Sequence, residues 1–368
     1  MAQSVFVYEY ATAGGAWEAW HSEPLVDALE REGRAMAAAL AQDLAAAGYS
    51  VWMPVCRNGA LAWWRNLKPP GCGVGRVALS QDESDQDVRR QWFDMACQQA
   101  ELTWIVAPEC DGILLELVRR AESLGARLLG PSSRFVAIAQ DKHVTAETLL
   151  RHGVPAPHGF LVDQWQNLPA PPDGGRWIRK PRFGAGSQDV GWLEPPVACE
   201  SNTASGHCEN GGSRPAGWRI ERFCEGKPVS IVAVVGEGRA EFLPACAQEP
   251  RCDMPFEHQA WTTPAMGSDP VARWLAQLSL AALPECRGYI GFDLILSPDG
   301  SGWVVDVNPR LTTSFLCLRQ CYTGWLAADI VNFCRGNGVI DKWNGKPVRL
   351  ERAALAKIAC EDAALCDG

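Results

Sequence analysis

The segment from Gly288 to Ser314, GYIGFDLILSPDGSGWVVDVNPRLTTS, constrains the fold more than any other. Two apolar runs, Tyr289–Leu296 and Trp303–Val307, flank Ser297-Pro298-Asp299-Gly300, a set of residues suited to a turn. The pattern predicts a β-hairpin with a slightly long loop. Asp293 falls on the first strand, and Asp306 and Asn308 near the end of the second. Residues two apart on a strand share a face, so Asp306 and Asn308 project together, and a turn near Asp299 brings Asp293 opposite them. Carboxylates in otherwise apolar strands are costly to bury unpaired and repel one another without a cation. Acidic residues also close strands beside turns for solvation alone. The three together suit a hard divalent cation, Mg2+ or Mn2+, whose remaining positions go to water and phosphate oxygens.

A chain of 368 residues has room for two or three cores, and a hydrophobic content near half excludes a disordered polypeptide. The net charge of −9, with no compensating Lys/Arg run, argues against a nucleic-acid partner. The start, MAQSVFVYEY, lacks the basic and apolar regions of an export signal. The alanine-rich stretch near Met36 carries Arg34, Gln42 and Asp43, so it is not a membrane span. The expectation is a cytoplasmic protein with no membrane partner. Fifteen cysteines are scattered without any CxxC pair, although Cys317 and Cys321 could meet on a helix. In a reducing compartment most serve as small buried hydrophobes. The six histidines are dispersed and read as surface or core residues.

Ser4–Tyr10 is β-prone and runs into the glycine-containing loop Ala11–Gly15. Leu25–Ala47 has helical apolar spacing, Val51–Val55 and Leu102–Ala107 read as strands, Gly112–Leu124 as a helix and Arg127–Leu129 as a short strand. Strands alternating with helices predict a parallel sheet whose ligands gather at the carboxyl ends of strands. That makes Glu9, Thr12, Gly14, Gly15 and Glu109 candidates for small-molecule contact, although glycines there also serve turning alone. GCGVGR, from Gly71, lacks the flanking strand and helix of a dinucleotide fingerprint.

After Phe135 the character changes. Gln140-Asp141-Lys142 opens a helix, and Val154-Pro155-Ala156-Pro157 leads into a new unit. Trp177–Pro181 is a strand carrying Lys180, followed by the turn Arg182–Ser187 and a strand near Val190. A glycine-rich turn next to a lysine can cover phosphates, though Gly-x-Gly is common in hairpins. Val197–Gly217, rich in Ser, Asn, Gly and Pro, reads as a flexible excursion. Arg219–Gly226 then leads into the β-like run Val229–Val235, where backbone groups could read a purine edge.

The ordered set Asp141-Lys142, Arg179-Lys180-Pro181 with Gly184-Ala185-Gly186-Ser187, Glu221–Gly226, Gly291-Phe292-Asp293 and Asp306–Arg310 resembles the ATP-grasp enzymes, over roughly residues 135 to 328. The resemblance implies an α/β plus α+β protein, an ATP-grasp fold behind an N-terminal Rossmann-like (pre-ATP-grasp) parallel-sheet domain. The expected division is an N-terminal domain over 1–134, a small central subdomain over 135–225, a C-terminal subdomain over 226–345 and a tail over 346–368. It further implies that Lys142 and Lys180 contact the phosphates of ATP and that Gly184, Ala185, Gly186 and Ser187 form a covering loop. Glu221, Arg222, Phe223 and Cys224 would be the hinge beside adenine, with Glu221 accepting from its amino group. Asp293, Asp306 and Asn308 would hold magnesium, and Arg310 would steady the transferring phosphate. Where many members carry a ribose-binding carboxylate this chain has Pro228, a departure from the family pattern that leaves Glu225 as a candidate substitute.

Within that superfamily FVYEYATAGG, EGRAMAAALAQDL, APECDGIL and NPRLTTSF look most like the tyramine–glutamate ligases of methanofuran biosynthesis and their bacterial relatives. That resemblance implies ATP-dependent joining of a glutamate carboxylate to an aminoethyl-aromatic amine through an acyl phosphate, with the acceptor near Arg310, Thr312, Thr313 and Ser314. The Thr and Ser residues serve equally well as a cap for the next helix. Two other readings stay open: a glutamate ligase acting on a pterin-type cofactor, and a non-catalytic nucleotide-binding subunit of a cofactor-assembly complex. A homo-oligomer is compatible with each.

Overall fold

The computed structural model describes residues 2–15, 23–57, 60–63, 86–161, 175–184, 189–193, 217–251, 256–265, 267 and 269–355. The Gly71–Arg76 motif, residues 185–187 of the glycine-rich turn and residues 197–216 of the polar excursion lie outside them.

The N-terminal unit is built on a three-stranded parallel sheet in the order β2-β1-β5, formed by β1 (Ser4–Glu9), β2 (Ser50–Trp52) and β5 (Leu102–Val106). The strand expected over 51–55 is interrupted at Met53, and β3 (Pro54–Arg57) instead pairs with β4 (Ala60–Trp63). The expected strand over 127–129 is reduced to a single parallel bridge between Thr103 and Leu128. Long helix α1 (Glu23–Ala46) covers one face, with Ala35, Leu40 and Leu44 fully buried. Helices α2 (Gln86–Gln99) and α3 (Ile113–Ser123) cover the other, where Phe6, Tyr8 and Phe93 meet ring to ring. Among the described residues no helix is long and apolar enough to cross a membrane.

Helix α4 (Ser133–Ala139) leads into α5 (Lys142–Arg151). The Asp141 carboxylate starts α5 by accepting from the backbone N–H groups of His143 and Val144 at 3.1 and 3.2 Å, donors the helix itself leaves unsatisfied. Arg182 pins the same carboxylate at 2.7 Å. A small antiparallel sheet follows, in the order β6-β9-β7-β8: β6 (Gly159–Leu161), β7 (Trp177–Pro181), β8 (Gly191–Trp192) and β9 (Trp218–Arg222).

The large antiparallel sheet contains β10 (Lys227–Gly236), β11 (Arg239–Phe242), β12 (Cys246–Pro250), β13 (His258–Thr263), β14 (Gly288–Leu296), β15 (Gly302–Asn308) and β16 (Val348–Glu351). Its order is β15-β14-β10-β12-β13-β16, with β11 paired to β10. The period of two sorts its residues cleanly. Val229, Ile231 and Ala233 of β10 pack with Ile290, Phe292 and Leu294 of β14 against α6 (Asp269–Ala282). Val232 and Val234 face the other way, toward α1, α7 (Ser314–Gln320) and α8 (Leu326–Cys334). On that second face one core runs from Val5 and Leu40 to Phe315 and Ile330. The segments expected to be separate at 1–134 and 226–345 therefore share an interior. The expected tail from 346 differs too: Val348–Glu351 pairs with β13 as an edge strand.

Candidate functional site

The face of the large sheet turned toward the N-terminal unit carries the chemistry. Ser230 pairs with Asp293, and Asp293 with Asp306, so alternation places all three on the side opposite Ile290 and Phe292. The bulge after Asp293 falls at the carboxylates, where it re-aims the side chains.

Between the small and large sheets lies a cleft of about 320 Å³, the size of a small-molecule site. Lys142, from the first turn of α5, and Lys180, from β7, both line it. Lys142 ion-pairs with Asp306. Burial opposes its charge, but Asp306 outweighs that and raises its pKa. Lys180 is buried and lies 2.6 Å from Glu221 Oε1, donating also to the Val305 carbonyl at 3.0 Å. Burial lowers its pKa despite the Glu221 charge. Glu221 is gripped on its other oxygen by the fully buried Arg219, at 2.8 Å, and Arg219 in turn donates to the Pro157 carbonyl at 2.7 Å. Two cations thus fix a carboxylate that the family resemblance aims at adenine.

The opposite end of the cleft is apolar. Trp192, Phe223 and Phe256 meet edge to face, with centroids 4.7 and 5.2 Å apart around Trp192, and Arg176 stacks over the Trp192 ring at 3.4 Å. Ile178, Leu294 and Ile295 complete the apolar lining there. The N–H groups of Arg222 and Phe223 donate to the carbonyls of His158 and Arg176, both at 2.9 Å, so what the Glu221–Cys224 segment offers a ring includes carbonyl oxygens. Gly184 and Pro228 line the cleft, whereas Glu225 is exposed.

Asp293 accepts from Gln248 at 3.0 Å and from the Asn308 amide at 2.8 Å. Burial, reinforced by Asp306, raises its pKa. A desolvated carboxylate facing a second one fits a divalent cation, which would relieve that repulsion. Among the described residues no three His, Cys, Asp or Glu side chains cluster to hold a metal, Cys317 and Cys321 included. An ion here would draw on the two carboxylates, Asn308 and ligand oxygens.

Behind this pair of carboxylates is a second pocket, of about 150 Å³, lined by Glu9, Glu32, Met36, Trp261, Arg310 and Arg352 among others. Arg310 is half-buried and lies 2.9 Å from Glu109 Oε1. Burial alone would lower its pKa, and Glu109 holds it raised. Thr312, Thr313 and Ser314 also line this pocket; Thr312 bonds Tyr289 at 3.1 Å and Ser314 at 2.7 Å, and Thr313 reaches Glu32 at 3.4 Å. Thr313 makes no side-chain cap on α7. Of the N-terminal loop candidates Glu9 lines the pocket, while Thr12 donates its N–H to Glu9 and Gly14, at φ 92°, serves the turn. Gly15 packs under the Tyr10 ring, which leaves no room for a Cβ.

Gln248, His258, Asp293 and Asp306 line both cavities. Gln248 and His258 were not among the residues expected from sequence, nor were Glu32 and Arg352. They come from strands and a helix far apart in the chain, with no local motif to mark them.

Residues 139–314 match the family model described as ATP-grasp domain, and residues 74–136 the pre ATP-grasp 3 domain. Similar solved structures include an ATP-grasp superfamily protein from Archaeoglobus fulgidus, 22% identical, covering 95% of this chain and 92% of that one with a TM-score of 0.66. An N5-carboxyaminoimidazole synthetase from Staphylococcus aureus complexed with ADP is 12% identical over 95% and 83% of the chains, TM-score 0.62. An L-amino acid ligase from Bacillus licheniformis is 16% identical over 90% and 73%, TM-score 0.55. No curated protein matches. The fold is that of the ATP-grasp proteins, preceded by a pre-ATP-grasp domain.

Proposed function

The chain belongs to the ATP-grasp superfamily, and from that premise we propose that it is an ATP-dependent carboxylate–amine ligase working through an acyl phosphate. The supporting observation is that two lysines from separate elements, Lys142 and Lys180, turn into the same cleft that Asp293 and Asp306 close. The aromatic end of the cleft at Trp192 holds the purine, and the ammonium groups hold the phosphates. Asp293, Asp306 and Asn308 would hold Mg2+, which when bound offsets charge on the phosphate oxygens. Arg310 reaches the opposite side of that wall and steadies the phosphoryl group as it moves.

In the first half-reaction a substrate carboxylate oxygen bonds to the γ-phosphorus of ATP as the bond to ADP breaks. In the second an amine nitrogen attacks the acyl carbon and inorganic phosphate leaves. The residues supply position and charge rather than a covalent nucleophile. We assign the acid as a glutamate-type compound and the acceptor as an aminoethyl-aromatic amine of one-carbon cofactor synthesis, on the sequence resemblance above; the Met36 and Trp261 walls of the second pocket suit an apolar ring. A panel of acids and amines, read by phosphate release and product mass, tests this. ADP formation that requires one acid and one amine supports it, and product formed on a pterin-type acceptor replaces the aromatic amine. Tight ATP binding without turnover on any pair, with a fixed copurifying partner, overturns it in favour of a nucleotide-binding subunit.

A further inference from the structure

The charged groups around the smaller pocket are nearly all matched. Arg310 is paired with Glu109 and Arg352 with Glu32, the latter at 2.5 Å. Asp306 has Lys142, and Asp293 has two amide donors. Glu9 is the exception. It is 4% exposed, and its oxygens take the N–H groups of Ala11 and Thr12, at 3.2 and 2.7 Å, with no cation in ion-pair distance among the described residues. Helix α1 comes so near that a Cβ at Gly33 would lie 2.5 Å from the Glu9 carboxyl, so the glycine leaves that group its place in the wall.

A second feature of the cavity awaits a ligand independently. Ser230 is 5% exposed, lines the same pocket, and its hydroxyl has no hydrogen-bond partner among the described residues. His258 Nδ1 is buried and unpartnered in the same way. Buried polar atoms are nearly always satisfied in a working state, so both point to a polar molecule bound here.

Taking the ligase reading above and its glutamate-type acid as its basis, we propose that Glu9 is the specificity-determining residue of this pocket and receives the α-ammonium group of that acid. The reacting carboxylate lies at the wall of Arg310, Asp293 and Asp306. A substrate that also reaches Glu9 takes the Glu9 end of the cavity, leaving the Met36 and Trp261 walls to the acceptor, and brings the missing positive charge. Ser230 and His258 take its remaining polar groups. Burial has already raised the Glu9 carboxyl to about 7, and an adjacent ammonium would return it toward the charged state.

The test traps the acyl phosphate with hydroxylamine, whose nitrogen forms the new bond to the acyl carbon as phosphate leaves, its surplus proton passing to solvent. The probes are matched pairs: L-glutamate with glutarate, and L-aspartate with succinate. The wild-type protein should favour an amino acid over its deaminated counterpart by roughly tenfold or more in kcat/KM. Glu9→Gln should bring that ratio to within roughly threefold while leaving the KM for ATP unchanged. Should Glu9→Gln not fold, Gly33→Ala displaces the same carboxyl and should compress the ratio in the same direction. An unchanged ratio in the variants, or hydroxamate formed preferentially from the deaminated acids, overturns the role of Glu9 and leaves the ligase reading standing. Absence of hydroxamate from every acid, with ATP still bound, overturns the ligase reading and this inference with it.

Discussion

Arg310 Nε, two residues past the second strand of the carboxylate pair, lies 2.9 Å from Glu109 Oε1 on the N-terminal unit. The two residues are 201 positions apart; Glu109 is buried and Arg310 half-buried. The other oxygen of Glu109 has no partner among the described residues. Glu109 therefore aims a guanidinium across the boundary between units without saturating itself. Glu109→Gln should lower kcat roughly tenfold to hundredfold with little effect on the KM for ATP. Steady-state kinetics separate the two parameters, and an equal loss in both would make Glu109 a general structural residue.

Lys180→Ala and Asp306→Ala should each reduce ADP release by roughly a hundredfold or more. Glu221 keeps Arg219 when Lys180 is removed, so the fold should survive. Loss of Asp306 leaves the half-buried Lys142 without the carboxylate that raises its pKa. Turnover near the wild-type rate, alongside an intact melting transition, would end the assignment of the residue concerned.

Trp192→Ala opens the apolar end of the cleft. Phe223 and Phe256 lose their common neighbour and Arg176 its stacking face. The KM for ATP should rise by roughly tenfold, with kcat less affected because the lysines are untouched. Fluorescence titration with ATP analogues checks the affinity directly.

The buried Glu9 carboxyl is raised by desolvation to about 7, with Glu30 adding a smaller push and the Thr12 and Ala11 N–H groups pulling the other way. The folded protein thus favours the protonated form. This contribution to stability is full below the unfolded pKa near 4.5 and is lost as pH rises through about 7. Its size is about 3 kcal/mol. Wild type should lose melting temperature between these values more steeply than Glu9→Gln, and the curves should diverge most above pH 7. Parallel curves would remove Glu9 as their cause.

Asp141→Ala removes the cap of α5 and the partner of Arg182 together. A loss of about 1–2 kcal/mol is expected, accompanied by weaker ATP binding because Lys142 stands in that first turn. Denaturant unfolding with a parallel ATP titration reads both effects.

The hairpin over 288–308 is legible from sequence because its turn residues and alternating strands are local, and so is the beginning of α5 at Asp141. Lys142, Lys180, Asp293 and Asp306 could be picked out because each belongs to a short motif. Gln248 and His258 carry no such mark. Their place depends on the order β10-β12-β13, which brings together strands whose neighbours no single segment specifies. Glu221 was read as a hinge residue, but its ion pairs with Arg219 and Lys180 come from alternation on β9 and from its pairing with β7. Val348–Glu351 went unrecognised because an edge strand needs only one partner and little apolar patterning.

Gln248, His258, Asp293 and Asp306 line both cavities and so form a shared wall between them, which on the reading proposed above has nucleotide on one side and acceptor on the other. For a ligase built this way, a labile mixed anhydride arises at the wall itself and has little distance to diffuse before the second nucleophile meets it. Leakage to water then becomes a measure of how well that wall is sealed, readable as ATP consumed without product.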